Sequence, residues 1–158
     1  MWSFVKDLQE WHTAEKLFAK YLIDYPNFIS LEFSQWRFPD WDIRMVTKDK
    51  VITYEIKKDL QAQDTWNVAI EISFKWNASW IFSSKADYVV YTAAWRWWIQ
   101  KRGELILRLI KAEKRELKWW DWRNSLLWLV KLSDMDTLFE PLNLYANAEE
   151  DGTEETEV

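Results

Sequence analysis

Two glycines against fourteen tryptophans in 158 residues is the feature that most restricts how this chain can turn. Glycine takes positive φ at no steric cost, and proteins on average use it at about 7%. With so few glycines, tight turns must be built from Asn, Asp, Ser and Pro, or must hold bulky side chains where they do not fit well. Tryptophan stands at several such points: Trp66 in DTWN, Trp76 and Trp80 in FKWNASWIF, and Trp119, Trp120 and Trp122 in KWWDWRN. The polar neighbours in these stretches mark turns.

Between the turn signals the hydrophobic pattern alternates between two periods. Residues 4–25 predict an amphipathic helix with Phe4, Leu8, Trp11, Phe18 and Leu22 on one stripe. Glu15 falls at the missing position of that stripe, where a carboxylate needs a partner: a satisfying ion pair, water at the stripe edge, or a functional site. The neighbouring His12 is the only histidine, and a flank position makes it a surface residue. Strands are predicted at 28–33, 41–47, 51–57 and 68–74, and in ADYVVYTA; a helix follows at 103–115, and KRELKWWDWRNSLLWLVKL reads as a second hairpin. The order of elements is that of an α/β chain.

Length suits one domain with a real core, expected over residues 1–146. No run approaches the apolar length of a membrane span and the N-terminus has no secretory pattern. The absence of cysteine excludes disulfides and thiolate metal sites. A cytoplasmic protein with no membrane partner is the expectation. The formal charge of −5 argues against nucleic acid only until it is located: six carboxylates lie in EEDGTEETEV, so the remainder carries 21 positive and 26 − 6 = 20 negative charges. Residues 147–158 are expected to be a disordered acidic tail on a nearly neutral body.

The chemistry concentrates in FPDWDIRMVTKDKVITYEIKKD. A hairpin with KDK at its turn folds Asp42 back toward Glu55 and Lys57, which stand twelve and fourteen intervening residues further on. Strand alternation then puts Glu55 and Lys57 on one face. Two carboxylates and an ammonium on one surface can hold a hard divalent cation, with the lysine beside an attacking water or a reacting phosphate. Two solvated strand ends would give the same spacing.

The helix KDLQEWHTAEKLFAKYL, the elements PDWDI and YEIKKD, and DTWNVAIEISFKWNASWIFSSKADYVVY in this order resemble small phage-type and bacterial nucleases of the PD-(D/E)XK, restriction-endonuclease-like superfamily, over residues 4–131. The resemblance implies a central mixed β-sheet flanked by helices. It implies Mg²⁺-dependent cleavage of DNA phosphodiesters, with Mn²⁺ able to substitute, and Asp42, Glu55, Lys57 and Glu15 as catalytic residues. Asp42, Glu55 and the carbonyl of Ile56 would be the metal ligands. Asn67, Glu71, Ser84, Lys85 and Asp87 also match the pattern, without assigned roles.

Members of that superfamily carry glycine where this chain carries Trp66, Trp76, Trp80, Trp119, Trp120 and Trp122. One reading is that these are glycines of a genome in which UGA encodes glycine, decoded as tryptophan; Trp11, Trp36 and Trp41 belong with them, and Trp97, Trp98 and Trp128 are true tryptophans. The literal alternative makes WRWWIQKR and KWWDWRN stacking platforms for single-stranded nucleic acid. The function expected is a Mg²⁺-dependent DNA endonuclease. Its rivals are a Holliday junction resolvase, which needs a homodimer to cut symmetric strands, and a non-catalytic nucleic-acid-binding module.

Overall fold

The computed structural model describes residues 2–35, 40–74, 77–78, 83–113, 118–122 and 125–144, with side chains over 13–35, 40–71, 83–111 and 127–144. The acidic tail, Trp36, Trp76 and Trp80, and the side chains of Phe4, Leu8, Trp11 and His12 lie outside these residues.

Helix α1 (Trp2–Ile23) carries Ala14, Phe18 and Leu22, all buried at helical spacing. They pack on one face of a six-stranded mixed sheet, against Ile43 and Met45 of β2 (Ile43–Thr47), Ile52, Tyr54 and Ile56 of β3 (Val51–Asp59), Val90 of β6 (Tyr88–Ala93) and Trp97 of β7 (Arg96–Lys101). Burying a side chain the size of Phe18 or Leu22 contributes about 1.5–3 kcal/mol. The sheet runs β1 (Phe28–Phe33), β2, β3, β6, β7, β10 (Glu140–Leu142). β3 and β6 are parallel, with Glu55 opposite Val89 and Asp59 opposite Ala93; the other neighbouring pairs are antiparallel.

The β2–β3 hairpin forms as its sequence predicts, and the turn explains why. Thr47 Oγ1 accepts from the amides of Asp49 and Lys50 at 3.3 and 3.1 Å and donates to the Lys50 carbonyl at 3.1 Å. One buried threonine thus satisfies the loop and fixes a register in which Ile43 faces Tyr54.

The expected central mixed sheet with flanking helices is present, but helices do not cover its other face alone. Between β3 and β6 the chain forms a short helix α2 (Ala62–Thr65), then β4 (Asn67–Phe74) and β5 (Asn77–Ala78). With β8 (Lys118–Trp122) and β9 (Ser125–Lys131) these strands make a separate antiparallel sheet of order β5-β4-β9-β8. Val68, Ile70, Trp128 and Val130 of that sheet form one core with Val89, Tyr91 and Trp98 of the first, Leu105 and Leu109 of helix α3 (Arg102–Glu113), and Met135 and Leu138 of the short helix α4 (Met135–Leu138).

Two expectations for tryptophan are corrected. Trp119, Trp120 and Trp122 lie within β8, not in a turn. WRWWIQKR is mostly strand β7, where Trp97 and Trp98 are 5% and 0% exposed, so neither offers a face to a nucleobase. The strand has only three apolar residues in a row, Trp97, Trp98 and Ile99, bounded by Arg96 and by Gln100 and Lys101; Gln100 is nonetheless buried, its amide nitrogen donating to the Leu138 carbonyl at 3.3 Å.

Candidate active site

Asp42 is fastened to β3 twice. Its backbone N–H donates to the Tyr54 carbonyl at 2.8 Å, and its Oδ2 accepts the Ile56 N–H at 2.7 Å. β2 begins only at Ile43, opposite Tyr54; beyond that point the Asp42 side chain takes over the partner role that a longer β2 would fill. The carboxylate is therefore placed by an obligation of the backbone, at the level where β3 presents Glu55 and Lys57.

Glu55 and Lys57 share a face of β3, as alternation requires. Lys57 Nζ lies 3.1 Å from Glu55 Oε1, and Glu55 Oε2 is 3.4 Å from Ser84 Oγ. Ser84 is 2% exposed and Glu55 7%. Glu15 faces this group from α1: burial first, then the charges of Asp42 and Glu55, raise its pKa to about 7 against the opposing pull of Lys57. Burial likewise raises Asp42, against the Ile56 N–H and Lys57. Glu55 is raised by burial and by Asp42, while Lys57 and the Ser84 hydroxyl pull it down. Three carboxylates thus gather around one ammonium in a partly dehydrated place, and each holds its proton more tightly than it would in water.

The structure brings Glu15, Asp42, Glu55, Lys57 and Ser84 together. Ile56 presents its side chain to the α1 core, so only its backbone is available to the site. Among the described residues no group of three or more His, Cys, Asp or Glu side chains is close enough to hold a metal ion jointly. A donor set here would consist of Asp42, Glu55 and a backbone carbonyl, with Glu15 acting through its field. That fits a magnesium ion, which characteristically takes one or two protein carboxylates and completes its shell with water and substrate phosphate.

Other pattern residues serve the frame. Asp87 Oδ2 accepts from the amide and hydroxyl of Thr53 at 2.9 and 3.1 Å, pinning the start of β6 to β3. Asn67 closes a local turn, its Nδ2 donating to the Thr65 carbonyl at 2.9 Å. Glu71 lies on β4 in the second sheet. Lys85 donates its N–H to the Asp40 carbonyl at 3.0 Å, and its exposed ammonium is 3.9 Å from Asp40 Oδ2. Asp59, not singled out from the sequence, holds α2 and β4 in place: Oδ1 accepts from the amides of Gln61 and Ala62, and Oδ2 from that of Ala69.

A cavity of about 290 Å³ opens beside the site between α1 and the C-terminal ends of β3 and β6, lined by Ala14, Leu17, Lys58, Thr92 and Trp97 among others. Glu15, Asp42, Glu55 and Lys57 do not line it, but Ala14, next to Glu15 in the chain, and Lys58, next to Lys57, do.

No family model matches the chain, and no curated protein matches it. Among solved structures it is similar to Hjc of Archaeoglobus fulgidus, a Holliday junction resolvase from an archaeal hyperthermophile. The identity is 12% and the TM-score 0.41, over 82% of this chain and 98% of that one. No helix among the described residues is long and apolar enough to cross a membrane.

Proposed function

We propose that the chain is a Mg²⁺-dependent DNA endonuclease. The observation that carries this reading is the grouping of Asp42, Glu55 and Glu15 around Lys57, the one ammonium among the described residues that faces these three half-buried or buried carboxylates. A purely structural ion pair would match its charges; this group leaves a surplus of negative charge that a divalent cation would neutralise.

Asp42, Glu55 and the carbonyl of Ile56 would hold the ion. Bound there, Mg²⁺ supplies charge to a phosphoryl oxygen and lowers the pKa of a coordinated water. Lys57 is placed by Glu55 to hydrogen-bond the attacking water and to meet the negative charge that develops on the phosphate. The water oxygen forms a new bond to phosphorus, the bond from phosphorus to the leaving sugar oxygen breaks, and the departing oxygen takes up a proton from solvent. Glu15, poised near neutral pH by burial and then by its neighbours, is suited to accept the proton that the attacking water loses.

The test is cleavage of linear duplex, four-way junction and single-stranded DNA by the purified chain, with Mg²⁺ and with EDTA. Mg²⁺-dependent strand scission that Glu55→Gln abolishes is the expected outcome. Binding without scission on all three substrates would leave a nucleic-acid-binding module instead.

A further inference from the structure

Ser84 sits in the link that leads into β6, remote in sequence from the Asp42 to Lys57 hairpin, and its hydroxyl touches both the Glu55 carboxylate and the backbone carbonyl of Asp40, two residues before Asp42. We infer that Ser84 is a positioning residue of this site, tying the segment that carries Asp42 to the carboxylate of Glu55 and so setting the spacing of the two acidic groups. The inference rests on the nuclease reading of that site.

Its hydroxyl has one proton to give and two lone pairs to fill. It accepts the Ala86 N–H at 3.1 Å. Two acceptors compete for the proton: the Asp40 carbonyl at 3.1 Å and Glu55 Oε2 at 3.4 Å. The Asp40 carbonyl already receives the Lys85 N–H at 3.0 Å, so it does not depend on the serine. An ionised carboxylate is the stronger acceptor of the two. The Ser84 hydroxyl faces Oε2 while Lys57 holds Oε1, so both carboxylate oxygens are oriented from the protein side. The hydroxyl spans the gap between Glu55 and the backbone of Asp40, two residues before Asp42, at a serine that is only 2% exposed.

A serine that only satisfied a buried amide would need no carboxylate beside it, and its loss would not alter how the site takes up a cation. Partners that orient metal-ligating groups behave otherwise: their removal costs about 10- to 100-fold in metal affinity or activity. The experiment titrates Mg²⁺ against Ser84→Ala, Ser84→Cys and Ser84→Thr in two readouts, DNA cleavage and the Mg²⁺-induced rise in melting temperature without DNA. In Ser84→Ala and Ser84→Cys the half-maximal Mg²⁺ concentration should rise about 10- to 100-fold in both readouts with the KM for DNA unchanged. Ser84→Thr, which keeps the hydroxyl, should restore the wild-type requirement. Cysteine nearly preserves volume while donating weakly, so it decides the matter if the alanine variant does not fold. An unchanged Mg²⁺ requirement in Ser84→Cys, with cleavage by the unmodified chain intact, overturns the role of Ser84 alone. Absence of any Mg²⁺-dependent cleavage by the unmodified chain overturns the nuclease reading beneath it.

Discussion

Trp66 and Trp95 should be better as glycine. Among the described residues four non-glycine positions have positive φ: Asn27 (62°), Trp66 (59°), Ala94 (48°) and Trp95 (62°). Asparagine tolerates that region; tryptophan does not, and the left-handed conformation costs an ordinary L-residue about 1–2 kcal/mol. Trp66 caps α2, its N–H bonded to the Ala62 carbonyl at 2.8 Å, a place where helices commonly end on glycine. Trp95 is half of the two-residue turn between β6 and β7, where paired positive φ values call for Asn-Gly or Gly-Gly. Their indoles are 70% and 80% exposed, so little apolar burial offsets the strain.

Replacement by glycine removes the strain and returns part of the gain as greater freedom of the unfolded chain, roughly 0.5–1 kcal/mol. A net stabilisation of about 0.5–1 kcal/mol per site is expected. That moves the melting temperature by roughly 1–4 °C, given about 2–4 °C per kcal/mol for chains of this size. Trp98→Gly and Trp128→Gly are the contrast: both side chains are buried in the shared core, and their truncation should cost at least about 3–5 kcal/mol. Thermal and urea unfolding of the four single variants decides the question. Destabilisation by Trp66→Gly and Trp95→Gly would refute the argument from backbone strain. Loss of single-strand affinity in the same two variants would favour the literal reading, with the indoles as stacking surfaces at a second cavity, of about 400 Å³, that both residues line. The coding DNA gives an independent check on origin: UGA codons are expected at 66 and 95 and UGG at 97, 98 and 128, and UGG at the first two ends the reassignment explanation.

Asp42→Asn, Glu55→Gln and Lys57→Ala should each lower Mg²⁺-dependent cleavage by on the order of a hundredfold or more with the fold retained by circular dichroism; full cleavage by any of them removes that residue from the mechanism. Lys85→Ala should weaken DNA binding and reduce the dependence of log affinity on log salt by about one contact's worth while leaving kcat alone, and an unchanged salt slope would show that its ammonium serves only Asp40. Deleting residues 147–158 removes six carboxylates and should raise DNA affinity at low salt, the gain shrinking as salt is added. Glu15 sets a pH dependence: its folded pKa of about 7 lies above the ordinary value of 4.5, so the folded state binds the extra proton, and stability without metal should fall as pH rises from about 4.5 to 7. For a half-buried group solvent screening reduces the effect to on the order of 1 kcal/mol. Glu15→Gln should flatten that slope, and a variant that melts with the same pH profile as the parent would show that burial and the neighbouring carboxylates do not raise Glu15.

The parts of the fold that could be read from the chain are those where one period dominates. The hairpin of β2 and β3 alternates cleanly and closes on a turn that one threonine can satisfy. α1 carries its stripe at helical spacing from Ala14 to Leu22. What could not be read is which sheet a strand joins. Val68, Ile70 and Trp128 alternate as well as Ile52 and Tyr54 do, yet β4 pairs with β9 across a gap of more than fifty residues and leaves the central sheet to β6. The choice is made by packing between elements distant in sequence, and alternation within one strand contains no information about it. β7 and β10 were hidden for different reasons: in β7 a polar residue, Gln100, finds a buried partner and so breaks the apolar pattern while obeying the backbone's demands, and β10 is three residues, two of them exposed and one a proline, with no alternation to read.

The site divides in the same way. Asp42, Glu55 and Lys57 could be brought together on paper because one hairpin contains all three, and Glu15 betrayed itself by interrupting an apolar stripe. Ser84 matched the pattern of the resemblance but its local sequence assigned it no role, since a serine before a strand is as well suited to a turn as to a carboxylate. Its position follows from the parallel pairing of β6 on β3, which carries the link ahead of β6 past Asp40 and against Glu55. The same pairing sets Val89 beside Glu55 on β6, an apolar neighbour that offers no hydrogen bond. Lys57 and Ser84 are therefore the two side chains that hold the Glu55 oxygens, one by charge and one by a neutral donor. Removing the first should change the chemistry at the phosphate, and removing the second should change only how readily the site takes its ion.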